Sequence, residues 1–465
     1  MLNKTQLQLR LPALSFHPRE WRLTPEQKVI AAFGGFTVLC LLLGLGDFLR
    51  YAFPAAATAA GVFLFRRHAA AYIEFTWWMW FLTPLIARLV DYQSGWDPSR
   101  LMIVAPFLVT CVSGATLWRR FGLLRRTEYL PFVLVPAALL YGLGIGLIQN
   151  APVAVAGSLL EWATPVIFGF HLAANPKQYA EFRRATGRAF SWGVPVMGAY
   201  GVMQYLIAPA WDRFWLIQTE VTSFGSPQPL GIRVWSTMNS PGTFGMYMAA
   251  GLILLFGAKG AWRFAAMTFG YLSLLVSLVR TAWGAWLVSL LLLVAPLQTR
   301  NKLRIAIGVV LLLLVVYPLA TSDPFAELLA TRFATFNSIQ DDGSLNERLA
   351  SYERGIAAVG GNVVGEGLGR TVSEDIIDSA FLDMFLTLGW AGALLYLAAL
   401  LAFHFRMFAI AGIKTDSFLS AARAIAIGIT PTLLMASQMI EATGVLYWGF
   451  LSLAISGSLT EEAER

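Results

Sequence analysis

Five ionisable residues lie where an apolar chain would not ordinarily carry them. Arg88, Glu161, Arg280, Asp383 and Glu441 each interrupt or border a long hydrophobic run. Charge within a bilayer is costly, so such residues usually face a cavity or a pathway. Arg280 is the sharpest case. It stands in Ser277-Leu278-Val279-Arg280-Thr281-Ala282-Trp283, between two apolar runs with no other polar cluster nearby. Arginine offers a permanent charge and a planar fork that matches phosphate oxygens. A carboxylate can act as a general base. Together they suit transfer of a group away from a diphosphate. Negative charge grows on the leaving diphosphate, and fixed guanidinium groups can stabilise it without a metal. Asp47, Arg50 and Asp91 fall at the same level and are explained by a solvated rim. Glu74 is the exception, near the opposite end of its run.

Composition sets the class of the chain that positions these residues. The chain has 465 residues, 57% hydrophobic and 13% charged, where a soluble domain is about a quarter charged. Apolar runs long enough to span a bilayer recur from Val29 to Ser456. The fold class expected is an all-α polytopic membrane protein, since a helix satisfies its own backbone in lipid. Barrel-type alternation is absent. The net charge of +7 does not indicate nucleic acid, because the basic residues cluster in short loops between spans. Cys40 and Cys111 read as buried thiols. His17, His68, His171 and His404 are scattered, and neither a metal-ligand set nor a Gly-rich nucleotide loop stands out, so no cofactor and no metal are expected.

Residues 1–28 form a basic N-terminal segment, with no cleavable signal expected. Thr24-Pro25-Glu26-Gln27 reads as a helix start, with Thr24 and Gln27 as a capping box. Spans are expected at about 29–48, 51–66, 71–90, 101–118, 129–148, 154–173 and 189–209. A second set follows at about 241–257, 263–279, 281–298, 304–320, 379–403, 423–440 and 442–457. The total is about 12–14 transmembrane helices. The chain therefore divides into N-terminal spans over 29–209, a loop over 210–240, spans over 241–320, a long loop over 321–378, spans over 379–457 and a tail over 458–465.

With the N-terminus in the cytoplasm, every clearly basic short loop falls inside. These loops carry Arg66-Arg67, Arg119-Arg120 with Arg125-Arg126, Lys177 with Arg183-Arg184, Lys259 with Arg263, Arg300 with Lys302 and Arg304, and Arg406 with Lys414. Both longer loops then lie outside. The first contains Trp211, Phe214, Trp215 and Trp235, rings that favour a membrane interface. In the second, Leu345, Leu349, Tyr352, Ile356 and Val359 repeat at helical spacing. Ser344 and Glu347 fit a capping box, and Gly360-Gly361 fits a stop. An amphipathic external helix is expected there.

The chain resembles the bacterial O-antigen ligase and O-antigen or exopolysaccharide polymerase superfamily. Three features carry the resemblance: Ser277-Leu278-Val279-Arg280; Arg332-Phe333, then Ser344-Leu345-Asn346-Glu347-Arg348-Leu349 and Gly365-Glu366-Gly367-Leu368-Gly369; and Asp378-Ser379, nine residues, then Gly389-Trp390-Ala391-Gly392. Asn239-Ser240-Pro241-Gly242, just after Arg233, adds weaker support. The resemblance implies a C-type glycosyltransferase-like fold in the bacterial cytoplasmic membrane, with its active site facing the periplasm. It also implies an undecaprenyl-diphosphate-linked oligosaccharide as donor and metal-independent, inverting transfer. Arg280, Arg233, Arg348, Arg332 and Arg88 would bind diphosphate or glycan. Where the ligases carry a histidine base, this chain has Asp378, which could serve as base or simply cap the helix that follows. Glu374, Asp375 and Asp383 are neighbouring carboxylates. The missing histidine favours a repeat-unit polymerase, for which a chain-length regulator protein would be a natural partner. A ligase and, from another class, a flippase for lipid-linked sugar are the alternatives.

Overall fold

The computed structural model describes residues 24–258, 260–296, 299–321, 343–370, 379–409, 416–435 and 439–464. Among these residues the chain is helical throughout, apart from loops and one isolated antiparallel bridge between Gly225 and Ile232. Among the described residues, eight helices are long and apolar enough to cross a membrane. The chain is thus an all-α polytopic membrane protein.

The N-terminal half comprises α1 (Pro25–Leu42), α2 (Gly46–Arg67), α3 (Ala69–Ser94), a broken span over 101–119 containing α4 (Val104–Cys111) and α5 (Ala115–Arg119), α6 (Pro131–Gln149), α7 (Pro152–Ala173) and α8 (Tyr179–Ile207). A short α9 (Ala210–Thr219) follows, then α10 (Pro241–Leu255), α11 (Trp262–Val276), α12 (Arg280–Val294) and α13 (Thr299–Ala320). The C-terminal part holds α14 (Gly343–Gly361), α15 (Ala380–Ala409), α16 (Ser417–Ile429) and α17 (Glu441–Glu464). α10, α11 and α12 are apolar helices of 15 residues, roughly 22 Å each. They fall short of a full hydrocarbon core.

The expected capping box is present. The Gln27 amide donates to Thr24 Oγ1 at 3.5 Å, and the Thr24 amide donates to Gln27 Oε1 at 3.0 Å. α14 ends at Gly361 as expected, but it begins at Gly343, ahead of the expected Ser344 cap. The side chains of Ser344 and Glu347 lie outside the described residues.

Small residues set the helix packing. α7 and α17 run parallel in close contact: a Cβ on Gly169 would meet Ser452 Oγ at 2.7 Å, and one on Gly444 would meet the Pro165 ring at 2.7 Å. Aromatic rings fill the centre of the bundle. Trp77 lies edge-on to Phe168 and Phe190, and Trp448 lies edge-on to Tyr396 and Phe403. Cys40 and Cys111 are free thiols. Three histidines are absorbed into local bonds: His171 with Thr116 at 2.7 Å, His404 with Thr430 at 2.7 Å, and His68 as acceptor from the Ala71 amide at 3.2 Å. His17 lies outside the described residues.

The helices alternate between two ends of the bundle. One end carries Arg66, Arg67, Arg119, Arg120, Arg183 and Arg184. The other carries α9, the loop after it, and the first residues of α7, α10, α12, α15 and α17. The second end is where the candidate site lies.

Candidate functional site

The site end is marked by strained backbone. Seven non-glycine residues among those described have left-handed φ: Arg100, Ala208, Glu220, Leu230, Ser236, Leu278 and Glu441. All seven lie in turns at this end. Such conformations cost about 1–3 kcal/mol each and cluster where a protein must hold side chains in place.

Arg88, near the end of α3, is fully buried, as is Asp212 on α9. Arg88 Nε lies 2.8 Å from Asp212 Oδ1. Its Nη2 donates to the Ser236 carbonyl at 2.5 Å, and Nη1 donates to Asn239 Oδ1 at 3.2 Å and to the Met238 carbonyl. Asp212 Oδ2 accepts from Tyr200 Oη at 2.8 Å and from Gln204 Nε2 at 2.9 Å. Gln204 Oε1 in turn accepts the amides of Trp235 at 3.1 Å and Ser236 at 2.8 Å. A buried charge pair needs this degree of satisfaction to persist. The network straps residues 235–239 onto the helices and so sets where α10 begins. The expected role of Arg88 is therefore corrected. Its guanidinium is spent on the protein, and it positions the loop instead of meeting a diphosphate. The aromatic loop residues need a similar correction. Trp215 and Trp235 are buried, packing with Phe224, Ile232, Ala208 and Leu216 in a small core of their own.

Arg233 and Arg280 are brought to one turn. Arg233 Nη1 donates to the Ser223 carbonyl at 2.9 Å, and Nη2 lies 3.5 Å from the Leu278 carbonyl. The neighbouring Val234 amide donates to the Val276 carbonyl at 3.2 Å. Leu278 takes its left-handed conformation at the link between α11 and α12, so Arg280 becomes the first residue of α12. Ser277, two residues before Val279 in that segment, is buried and donates to the Leu274 carbonyl at 2.7 Å, closing the end of α11. Gly245 lets α10 approach closely, since a Cβ there would meet the Ala282 methyl at 2.9 Å. The N-termini of α10 and α12 thus open side by side, and α15 and α17 start at the same end. Helix N-termini carry partial positive charge and free amides, which favour anions.

The glycine-rich segment 363–370 supplies a third element. Gly365, Gly367 and Gly369 all have left-handed φ. A Cβ on Gly365 would meet Gly389 Cα at 2.8 Å, and one on Gly369 would meet the Val155 amide at 2.5 Å. Glycine is required because backbone packs against backbone. The Glu366 amide donates to the Leu386 carbonyl at 2.7 Å, the Leu368 amide to the Gly142 carbonyl at 2.9 Å, and the Trp390 amide to the Val363 carbonyl at 2.9 Å. Asn150 Nδ2 donates to the carbonyls of Glu366 and Leu368 at 2.8 and 3.0 Å. Irregular backbone at membrane depth is tolerated where protein satisfies it in this way.

This segment ends on Arg370, whose importance was not read from the sequence. Arg370 Nη2 pairs with Asp383 Oδ1 at 2.6 Å, Nε donates to Thr387 Oγ1 at 3.1 Å, and Nη1 lies 3.5 Å from Glu366 Oε2. Asp383 is within electrostatic reach of Glu161 on α7, and Glu161 of Glu441 at the start of α17. Glu441 in turn senses Arg100. Arg100 was also missed. It is held in its left-handed turn by Asp97, whose carboxylate accepts from the Ser99 amide at 2.9 Å and the Leu101 amide at 3.1 Å. Burial opposes charge on Asp97, but the Ser99 hydroxyl and the Leu101 and Ser99 amides hold its carboxyl below the usual range. The signals were present in the sequence: Arg370 directly follows Gly369, and Asp97-Pro98-Ser99 is a turn signature.

Of the residues singled out from sequence, the structure brings Arg233 and Arg280 together and buries Arg88. Arg332 and Asp378 lie outside the described residues, as do Glu374 and Asp375. Arg348 lies on α14, and its side chain is likewise outside them. Ser379 takes the cap position of α15, its Oγ accepting the Leu382 amide at 3.4 Å. Chemically, the arrangement offers Arg233 and Arg280 beside helix N-termini, with carboxylates from α7, α15 and α17 at the same end of the bundle. Comparison with protein-family models and with curated proteins finds no match to this chain.

Proposed function

We propose that this chain is a membrane glycosyltransferase that takes a glycan from an undecaprenyl-diphosphate carrier and passes it to an acceptor hydroxyl. The reaction would run at the outer face of the bacterial cytoplasmic membrane, in exopolysaccharide or O-antigen synthesis, with polymerisation favoured over ligation. The observation that carries the reading is the convergence of Arg233 and Arg280 on the Leu278 turn, beside the N-termini of α10 and α12. A lipid-borne diphosphate is a dianionic group presented at membrane depth, and fixed guanidinium groups with helix dipoles suit it.

In this reading the acceptor O–H gives its proton to a carboxylate, Asp378 or a member of the Glu161, Asp383 and Glu441 group. The acceptor oxygen attacks the anomeric carbon from the face opposite the leaving group. The bond from that carbon to the diphosphate oxygen breaks, and its electron pair goes to the diphosphate. Arg280 and Arg233 stabilise that growing charge. Arg348 and Arg332, in the long loop, would contact diphosphate or glycan. A chain-length regulator would be a partner for the polymerase form.

The test is transfer by purified protein in liposomes, supplied with an undecaprenyl-diphosphate oligosaccharide and a chelator. Products lengthened by whole repeat units support polymerisation, and a single transfer to a lipid acceptor supports ligation. Movement of intact donor between leaflets, with no new glycosidic bond, would mean a flippase instead.

A further inference from the structure

A groove of about 820 Å³ runs along the opposite, basic end of the bundle, away from the site just described. It is lined by Ala55, Thr58, Ala59, Val62, Phe63, Arg66 and Arg67 of α2, with Leu108 of α4. Its floor is apolar with small side chains, and its mouth carries two adjacent arginines. Both arginines are exposed, and neither has an ion-pair or hydrogen-bond partner among the described residues. Arg119 adds a third positive charge nearby, lying over the Phe65 ring at 5.5 Å.

The dimensions fit a particular ligand. From Ala55 to Arg66, α2 rises roughly 16 Å at about 1.5 Å per residue. Half of a bilayer's hydrocarbon core is about 15 Å. The groove is therefore about one leaflet deep, with its positive charge at the depth of a head group. Arg66 and Arg67 also complement the C-terminal end of the α2 dipole. That role needs neither the groove nor its alignment with the arginines. We propose that the groove is a binding site for an anionic glycerophospholipid, with an acyl chain along Ala55, Ala59 and Val62 and the head-group phosphate between Arg66 and Arg67. Basic pockets between transmembrane helices recognise anionic head groups by this chemistry. The proposal is independent of the glycosyltransferase reading.

Native mass spectrometry of the purified protein, exchanged into mixed phosphatidylglycerol and phosphatidylcholine nanodiscs, tests it. The wild-type chain should retain phosphatidylglycerol roughly tenfold or more over phosphatidylcholine, as two surface cations would give. The R66Q/R67Q variant, with an unchanged elution profile and thermal transition, should lose that preference. Ala59→Phe, which fills the floor and keeps both arginines, should weaken retention. A millimolar excess of inorganic phosphate should leave the lipid bound. Equal retention of both lipids by the wild type, an unchanged preference in the double variant, full retention by Ala59→Phe, or displacement by phosphate alone would each overturn the proposal.

Discussion

Arg88 and Asp212 meet 2.8 Å apart with both side chains closed off from solvent, and the loop between α9 and α10 hangs on that contact. Removing one partner leaves an uncompensated buried charge, at a cost of about 3–5 kcal/mol. Asp212→Ala and Arg88→Ala should each lower thermal stability sharply in detergent. The double variant R88A/D212A should lose less than the sum of the two, with a coupling of about 0.5–3 kcal/mol. Additive losses in a thermal-shift cycle would mean that the pair is not the anchor.

Arg370 makes a different prediction, because it joins the glycine segment to α15 without full burial. Arg370→Ala removes the 2.6 Å pair with Asp383 and the 3.1 Å bond to Thr387. A stability loss of about 1.5–3 kcal/mol follows from charged hydrogen bonds of this kind. Arg370→Lys keeps the charge but not the fork, so it should recover part of that loss. In a polymer-length assay in cells, Arg370→Ala should give shortened or no product at normal protein levels.

The glycines divide cleanly into those that need to be glycine and those that do not. Gly367 has a left-handed φ of 76°, and any Cβ there would collide with the backbone of Gly146. Gly360, in the last turn of α14, has open space around its Cβ position. Gly367→Ala should therefore abolish folding or activity. Gly360→Ala should be neutral or stabilising by up to about 1 kcal/mol, since alanine is the better helix former. Equal effects of the two in limited proteolysis would contradict the packing described for residues 363–370.

The helices were legible because hydropathy reads them directly, and most boundaries fall within a few residues of those expected. The start of α8 was not. The expected span opened at about 189, but the helix begins at Tyr179. Its first turns carry Arg183 and Arg188, which hydropathy takes for a loop. In the fold Arg183 pairs with Asp416 at 2.6 Å and Arg188 with Glu74 at 2.8 Å. Glu74, the charge that did not fit the outer level, is explained by that partner. The site was legible only in part. Arg280 announced itself by standing alone among apolar residues. Arg370 did not, because Asp383 and Thr387 reach it only after the chain has folded back through α15. Arg88 stands out as a charge inside a span, but its partner Asp212 lies on α9, which no local sequence pattern connects to it.

Arg280 is where the proposed chemistry is most directly exposed to measurement. Purified wild-type protein and Arg280→Ala would be compared in liposomes with an undecaprenyl-diphosphate oligosaccharide, with chelator present and single-turnover product followed by mass. The expected result is a new glycosidic bond in the wild type, and a rate at least a hundredfold lower in Arg280→Ala, about the loss seen when one charge-stabilising group is removed from a transition state. Donor affinity should fall far less in Arg280→Lys than in Arg280→Ala. Undiminished transfer by Arg280→Ala, or a wild-type reaction that stops when metal is chelated, would contradict it.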